Sequence, residues 1–356
     1  MTDYTKAMTS RDYLVEQAGL HRSMRPQDMI KLCYQATFGA EHLLSDRAAA
    51  EGLFEREFAS ATGANPSLYE QIAPGCCRVN LAAWKARGLP PAWLFRMFAG
   101  SAMATTGSDG AFRALLAEAG AVIAAGLAPF SRQDWRQALD AYWRDGGGAV
   151  HHSEDYRAAE QPAYRLVEAG FIRVFALLEQ MAQRSPQSGV CVVALDGRAA
   201  SGKTTIAAQL SLVTGVGVVH MDDFFLPGAL RTQDRLSTPG GNVHYERFLQ
   251  EVLPEITRPE AFSYRRFDCS RMELGDTRTV YASKWRIVEG AYSCHPLLGD
   301  YADIKAFCDV APQEQLRRIT LRNGAEKAHI FAERWIPMEE RYFEHFGIAQ
   351  KADVIL

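Results

Sequence analysis

Apolar residues in the first half of the chain recur at every third and fourth position, the spacing that gathers them on one face of an α-helix. Ala111 to Ala125 and Leu166 to Met181 are the plainest such stretches, and Ala, Leu, Glu, Arg and Gln dominate residues 1–183. The pattern breaks at Thr62-Gly63-Ala64-Asn65-Pro66, at Gly88-Leu89-Pro90-Pro91 and at Gly146-Gly147-Gly148, where turns are expected. The second half reads differently. Continuous apolar and β-branched runs at Val190–Leu195, Gly215–His220, Trp285–Val288, Ile304–Val310 and Ala352–Leu356 alternate with helical spacing. Such runs predict strands buried on both faces, and their alternation with helices predicts a parallel sheet covered on both sides. The polar stretch Gln183–Gly189, with its Pro and Gly, predicts a linker over 184–189. A mostly α-helical domain over 1–183 and an α/β domain over 190–356 are therefore expected.

Composition changes this picture little. At 356 residues, 47% hydrophobic and 23% charged, either half can bury a core of its own. A net charge of −3 gives no reason to expect nucleic acid or an anionic membrane as a partner. The seven cysteines form no C-x-x-C pair and no even framework, which suits reduced thiols in a cytoplasmic protein. Met1–Lys6 lacks the basic and apolar regions of a signal peptide, and no apolar run is long enough to span a bilayer; the Ala/Gly-rich Ala117–Phe130 is read as a packed helix.

The first strand runs into Gly197-Arg198-Ala199-Ala200-Ser201-Gly202-Lys203-Thr204, which matches G-x-x-x-x-G-K-[ST] at every fixed position. A helix start, Thr204-Thr205-Ile206-Ala207, follows it. Strand, glycine-bearing turn and helix N-terminus together make an anion site of backbone N–H groups aided by the helix dipole. Gly197, Ala200, Ser201, Gly202, Lys203, Thr204 and Thr205 are the phosphate-binding candidates. Lys203 is placed to reach the β- and γ-phosphates of ATP, and the Thr204 hydroxyl to meet Mg²⁺. The whole predicts an α/β P-loop NTPase fold.

Ligands of parallel sheets bind at the carboxyl ends of the strands, so those ends are the next places to read. The second strand ends in His220-Met221-Asp222-Asp223-Phe224-Phe225. One of these carboxylates could take a proton from an attacking hydroxyl and one could hold Mg²⁺ through water; either could instead cap a helix or a turn. The third ends in Val288-Glu289-Gly290-Ala291-Tyr292, where an acid leaving an apolar strand suits a contact to metal-bound water. Thr204, Glu289 and Asp223 are thus the metal-side candidates. Later, Arg317, Arg318 and Arg322 cluster on a stretch that Asn323-Gly324 would end as a helix; residues 318 and 322 share a face, and arginines there could stabilise a transferring phosphoryl group or simply be solvated.

The order of these motifs resembles that of the uridine kinase and phosphoribulokinase-like family, and most of all its bacterial uridine kinase-like members. Segments like Pro239–Phe248 and Tyr264–Cys269 occur there as well. The resemblance covers about residues 190–356. It implies a P-loop kinase that moves the γ-phosphate of ATP to an alcohol, with Mg²⁺. It puts Asp222 at the position of the catalytic base, Glu289 at the metal-side acid, and Arg318 and Arg322 at the lid arginines, with Lys203 on the phosphates. The acceptor side departs from the family. Asp222-Asp223-Phe224-Phe225 stands where uridine kinases have Asp-Ser-Phe-Tyr, and Asn242-Val243-His244-Tyr245 replaces their Asp-His-Pro segment. On that side the candidates are Tyr245, Arg265 and Tyr292.

Residues 1–183 resemble no catalytic family, yet some of their segments are polar beyond what packing needs. Glu41-His42 follows a glycine, Arg78 and Asn80 follow Cys76-Cys77, and His151-His152-Ser153-Glu154-Asp155-Tyr156-Arg157 leads into Tyr164-Arg165. His42, His151 and His152, with Glu41 or Glu57, could form a metal or acid–base site or bind a second substrate group, and Arg157 and Arg165 could meet an anion. Ser153 and Asp155 equally suit a helix start near 154. The expected activity is an ATP- and Mg²⁺-dependent kinase acting on a small-molecule hydroxyl, with the helical half shaping the acceptor pocket or mediating homo-oligomerisation. The alternatives are an ATP-driven switch with a protein-binding helical half, and a bifunctional enzyme with a second site there. A GTPase is disfavoured, since the chain has no Asn-Lys-x-Asp guanine motif.

Overall fold

The computed structural model describes residues 8–63, 67–104, 107–184, 189–268 and 270–356. Met1–Lys6, residues 64–66 of the first predicted break, residues 185–188 of the predicted linker and Cys269 lie outside the described residues, as does the side chain of Glu41. The chain divides into two compact units, Met1–Ile172 and Arg173–Leu356. No helix among the described residues is long and apolar enough to cross a membrane.

The first unit is built from α1 (Ser10–Leu20), α2 (Pro26–Phe38), α3 (Arg47–Ser60), α4 (Leu81–Ala86), α5 (Pro91–Ala104), α6 (Asp109–Ala124), α7 (Arg132–Arg144) and α8 (Glu154–Glu160). Side chains that accept an orphan N–H start several of them: Thr9 for α1, Ser108 for α6, Ser131 for α7 and Ser153 for α8. The helix expected over 111–125 is α6, which buries Phe112, Leu116, Ala119, Val122 and Ile123 on one face. A three-stranded antiparallel sheet, not anticipated from the sequence, joins β1 (Tyr69–Ala73), β2 (Cys76–Asn80) and β3 (Tyr164–Glu168) in that order. It corrects the helix expected over Leu166–Met181. Leu166 and Val167 pair with Arg78 and Cys77, a 3-10 turn follows at Ala169–Val174, and α9 (Phe175–Gln183) begins only then. Tertiary pairing with β2 overrides a weak local preference. α9 itself belongs to the second unit.

That unit carries a five-stranded parallel sheet in the order β10-β9-β4-β8-β5. The strands are β4 (Cys191–Gly197), β5 (Gly217–His220), β8 (Trp285–Glu289), β9 (Ile304–Cys308) and β10 (Val354–Ile355); β5, β9 and β10 fall within expected runs, while β4 and β8 extend past the ends of theirs. β4 lies at the centre and is buried along all seven residues, as its apolar sequence requires. The helices are α10 (Lys203–Thr214), α11 (Gln233–Ser237), α12 (Tyr245–Glu251), α13 (Leu253–Ile256), α14 (Pro312–Asn323), α15 (Ala325–Ile330) and α16 (Ile336–Phe346), with a π-helical turn at Phe331–Trp335. A hairpin of β6 (Phe262–Asp268) and β7 (Glu273–Val280) stands apart from the main sheet. Its Phe262, Tyr264 and Val280 close the core formed by Val219, Phe224, Phe248, Val288 and Tyr342.

Candidate active site

The turn after β4 leaves backbone donors unspent. Gly197 has φ +135°, and a Cβ there would lie 2.2 Å from the Cys308 carbonyl, so the close pass of β4 against β9 requires glycine. Ala200 and Gly202 also adopt positive φ, which turns the loop into a concave cradle. No side chain caps α10. Among the described residues the N–H groups of Gly202, Lys203, Thr204 and Thr205 have no acceptor. Four free N–H groups at a helix N-terminus fit an anion such as the phosphates of a nucleotide. Lys203 curls over the loop, its Nζ donating to the Gly197 and Arg198 carbonyls at 2.7 and 2.8 Å. Arg173 donates to Ser201 O at 3.3 Å, Gln315 to Ala199 O at 3.1 Å and Arg318 to Ala200 O at 3.2 Å.

The strand ends bring some of the candidate acids together and separate others. Glu289, buried at the end of β8, accepts from the Thr204 hydroxyl at 3.3 Å and pairs with His220 Nδ1 at 2.5 Å. Thr204 and Glu289 are therefore adjacent, a hydroxyl and a carboxylate of the kind that hold Mg²⁺ and its water. Asp222 makes no hydrogen bond or ion pair among the described residues. Its side chain is open to solvent, yet protein crowds it on most sides. Burial first, and then Glu289 and Asp223, push its carboxyl up, while Lys203 and His220 pull the other way.

Asp223 is not brought to the Thr204–Glu289 pair. One oxygen takes the Tyr264 hydroxyl at 2.9 Å and Arg278 Nε at 3.1 Å, and Arg266 lies 3.7 Å from the other. Its carbonyl holds Arg247. The alternation of β6 faces Tyr264 inward and leaves Arg265 exposed, so Asp223 pins the hairpin to the sheet and Arg265 does not reach the site. Tyr245 packs under the Arg235 guanidinium, 3.9 Å from its ring centre, and stacks on His295. Among the described residues Arg322 hydrogen-bonds its neighbour Asn323 alone, at the last turn of α14.

Three residues that no motif pointed to complete the geometry. Asp196, fully buried just before the loop, accepts from the N–H groups of Gly197, Tyr292 and Cys294 and from the Tyr342 hydroxyl. It ties the ends of β4 and β8 to α16. A carboxylate in an otherwise apolar strand was its one signal. Glu340 of α16 grips Arg198 through two hydrogen bonds of 2.7 and 3.0 Å, and Arg198 also meets Asp309. Glu339 accepts from Ala199 N–H, within the loop, at 2.9 Å. Burial pushes its carboxyl up to about 7, against the pull of Lys203.

Beside these groups lies a cavity of about 310 Å³ lined by Phe225, Arg231, Asn242, Tyr292, Trp335 and Glu339. Tyr292 reaches it with φ +74°, held by Asp196. Asn242 Oδ1 is buried and has no hydrogen-bond partner among the described residues. The cavity thus offers aromatic walls and two charged groups, Arg231 and Glu339.

The polar residues of the first unit close on one another. His152 Nδ1 lies 2.8 Å from Asp28 and Nε2 2.6 Å from the Tyr164 hydroxyl, and its ring stacks on Tyr156 at 4.3 Å. Asp28 also accepts from Ser153 and from Arg25 N–H. Tyr164 bonds Gln35, Gln35 holds Arg78 at 2.8 Å, and Arg78 lies over the Tyr164 ring. Arg165 pairs with Glu57. His42 is exposed and meets Tyr34 edge-on, apart from this chain. Among the described residues no three His, Cys, Asp or Glu side chains gather as a metal site.

No family model matches the chain, and no curated protein matches it. Solved structures resemble part of it. A protein of Bacillus stearothermophilus, provisionally assigned as a uridine kinase, is 21% identical over 52% of this chain and 97% of its own, with a TM-score of 0.41. A protein of Silicibacter sp. TM1040, provisionally assigned as a fructose transport system kinase, is 25% identical over 51% and 97%, with a TM-score of 0.42.

Proposed function

We propose that the second unit transfers the terminal phosphoryl group of ATP to a hydroxyl of a small molecule. The observation that carries this is Asp222: an uncommitted carboxylate within electrostatic reach of Lys203 and Glu289, beside a loop with four free N–H donors. A switch that only hydrolyses nucleotide needs to place a water; a free carboxylate of raised pKa suits taking a proton from an alcohol. In the transfer, the acceptor oxygen bonds to the γ-phosphorus, the bond to the β,γ-bridging oxygen breaks, and the hydroxyl proton passes to Asp222. Lys203 leaves the loop carbonyls for the phosphate oxygens. The loop N–H groups and Arg318 hold charge that grows during transfer. The Thr204 hydroxyl and Glu289 would hold Mg²⁺, which would supply charge neutralisation at the phosphates. The cavity beside Tyr292 and Asn242 seats the acceptor.

ADP release by the purified full chain, with Mg²⁺ and with or without a panel of nucleosides, sugars and other alcohols, tests this. Acceptor-dependent release is expected, reduced on the order of 10³-fold in Lys203→Ala. Release that ignores every acceptor would instead support a nucleotide-driven switch.

A further inference from the structure

Glu339 joins the phosphate loop to the acceptor cavity. Its Oε2 accepts from Ala199 N–H, while Oε1 makes no hydrogen bond among the described residues and the side chain lines the cavity. A carboxylate on a loop N–H occupies a position that a phosphate oxygen also wants, and it carries the same sign of charge. The charged and titratable groups that face it are Lys203 at the start of α10, Asp196 at the end of β4, Asp222 after β5 and Tyr292 after β8. Lys203 is the cation among these, and Arg231 shares the cavity that Glu339 lines. The nearby Arg198 is already held by Glu340 and Asp309.

We propose, resting on the phosphotransfer reading, that Glu339 is a charge gate for the terminal phosphate of the donor. Its carboxylate opposes a triphosphate more than a diphosphate until it takes a proton or turns into the cavity, where its free oxygen meets the acceptor. The gate therefore links donor binding to acceptor binding and, when charged, discriminates against the triphosphate relative to the diphosphate. The carboxyl, raised to about 7, titrates near neutral pH, so its neutral form gains as pH falls from 8 to 6.

Calorimetric binding of ADP and of ATPγS, each with Mg²⁺ and no acceptor, separates the outcomes; the thiophosphate stays ionised across pH 6 to 8. Glu339→Gln keeps a carbonyl for Ala199 N–H and removes the charge. At pH 8 the variant is expected to bind ATPγS about tenfold more tightly than wild type, with ADP changed less than about twofold. At pH 6 the two proteins should converge. The wild-type ratio of ATPγS to ADP affinity, which needs no variant, should fall from pH 6 to pH 8. A ratio indifferent to pH, or an equal change for both nucleotides in the variant, overturns the gate and leaves the phosphotransfer reading standing. Failure of wild type to bind either nucleotide overturns both.

Discussion

The molecule holds two dense polar clusters, one in each unit, and they are built on opposite principles. Around Asp28, His152, Tyr164, Gln35 and Arg78 every group closes on a neighbour. Around the phosphate loop capacity is left over: four N–H donors, a free Asp222 carboxylate, one free oxygen on Glu339 and the orphan Asn242 Oδ1. Free N–H groups at a helix N-terminus suit an anion, so capacity left over there fits a ligand. A closed network needs no ligand and serves to fix one arrangement of the chain. Histidines and arginines in both clusters look alike as a list; their partners tell them apart.

The sharpest test of this contrast is Asp222→Asn. Loss of a proton acceptor at the transfer step is expected to lower kcat on the order of 10³-fold. Stability should hold or improve. A carboxyl whose pKa is raised on folding favours the folded state only when protonated. That contribution is present at low pH and lost as pH rises from the ordinary carboxylate value through the raised one, so the ionised group costs stability at neutral pH. Thermal unfolding of the variant beside its turnover checks both halves. A variant that melts early and turns over normally would place Asp222 with the structural groups.

Asp28→Asn is the mirror experiment in the first unit. Burial works against the Asp28 charge, but hydrogen bonds from His152, Ser153 and Arg25 N–H outweigh it and hold the carboxyl below its usual value. Removing the charge that these buried hydrogen bonds serve is expected to cost about 1 to 3 kcal/mol, with ADP release per folded molecule unchanged. A lowered carboxyl stabilises above the unfolded value and stops doing so as pH falls through the folded one. Wild type and variant should therefore differ at neutral pH and converge below pH 3.8, the ordinary value. A variant with normal unfolding and lost turnover would make His152 part of a working site after all.

Much of the second unit was legible in the sequence because its chemistry is local. The loop is recognised by glycines and a lysine at fixed spacing, and the strands by apolar runs that only a sheet covered on both faces demands. Glu339 and Glu340 were not legible. They follow Pro337 on an ordinary amphipathic helix, and only the return of α16 to the loop gives them a role. Asp223 misled for the opposite reason. It sits beside Asp222, but successive side chains of the short 3-10 turn at Met221–Phe224 diverge, and the hairpin captures one of the two. In the first unit, Tyr164-Arg165-Leu166-Val167 satisfies strand and helix spacing alike over so few residues, and β2 decides between them.

Arg318 and Arg322 bring the contrast down to one helix face. Their spacing puts both on the same side of α14, and sequence alone ranks them equally. Their partners do not. Arg318 spans from Glu314, at 2.7 Å, to the Ala200 carbonyl of the loop, so part of its donor set already points at the phosphates' place. Arg322 lies one turn further on, exposed, with Asn323 as its hydrogen-bond partner. Arg318→Ala is expected to lower kcat about ten- to a hundredfold, less than an arginine free of an ion pair would. Arg322→Ala should change it less than about twofold, since a solvated charge one turn away is screened and loses nothing it held. Steady-state kinetics of the two variants at one salt concentration reads the difference. A loss above tenfold in Arg322→Ala would mean that α14 and α15 close over the donor during turnover and carry the second arginine in, so that unspent capacity in the resting fold undercounts the site.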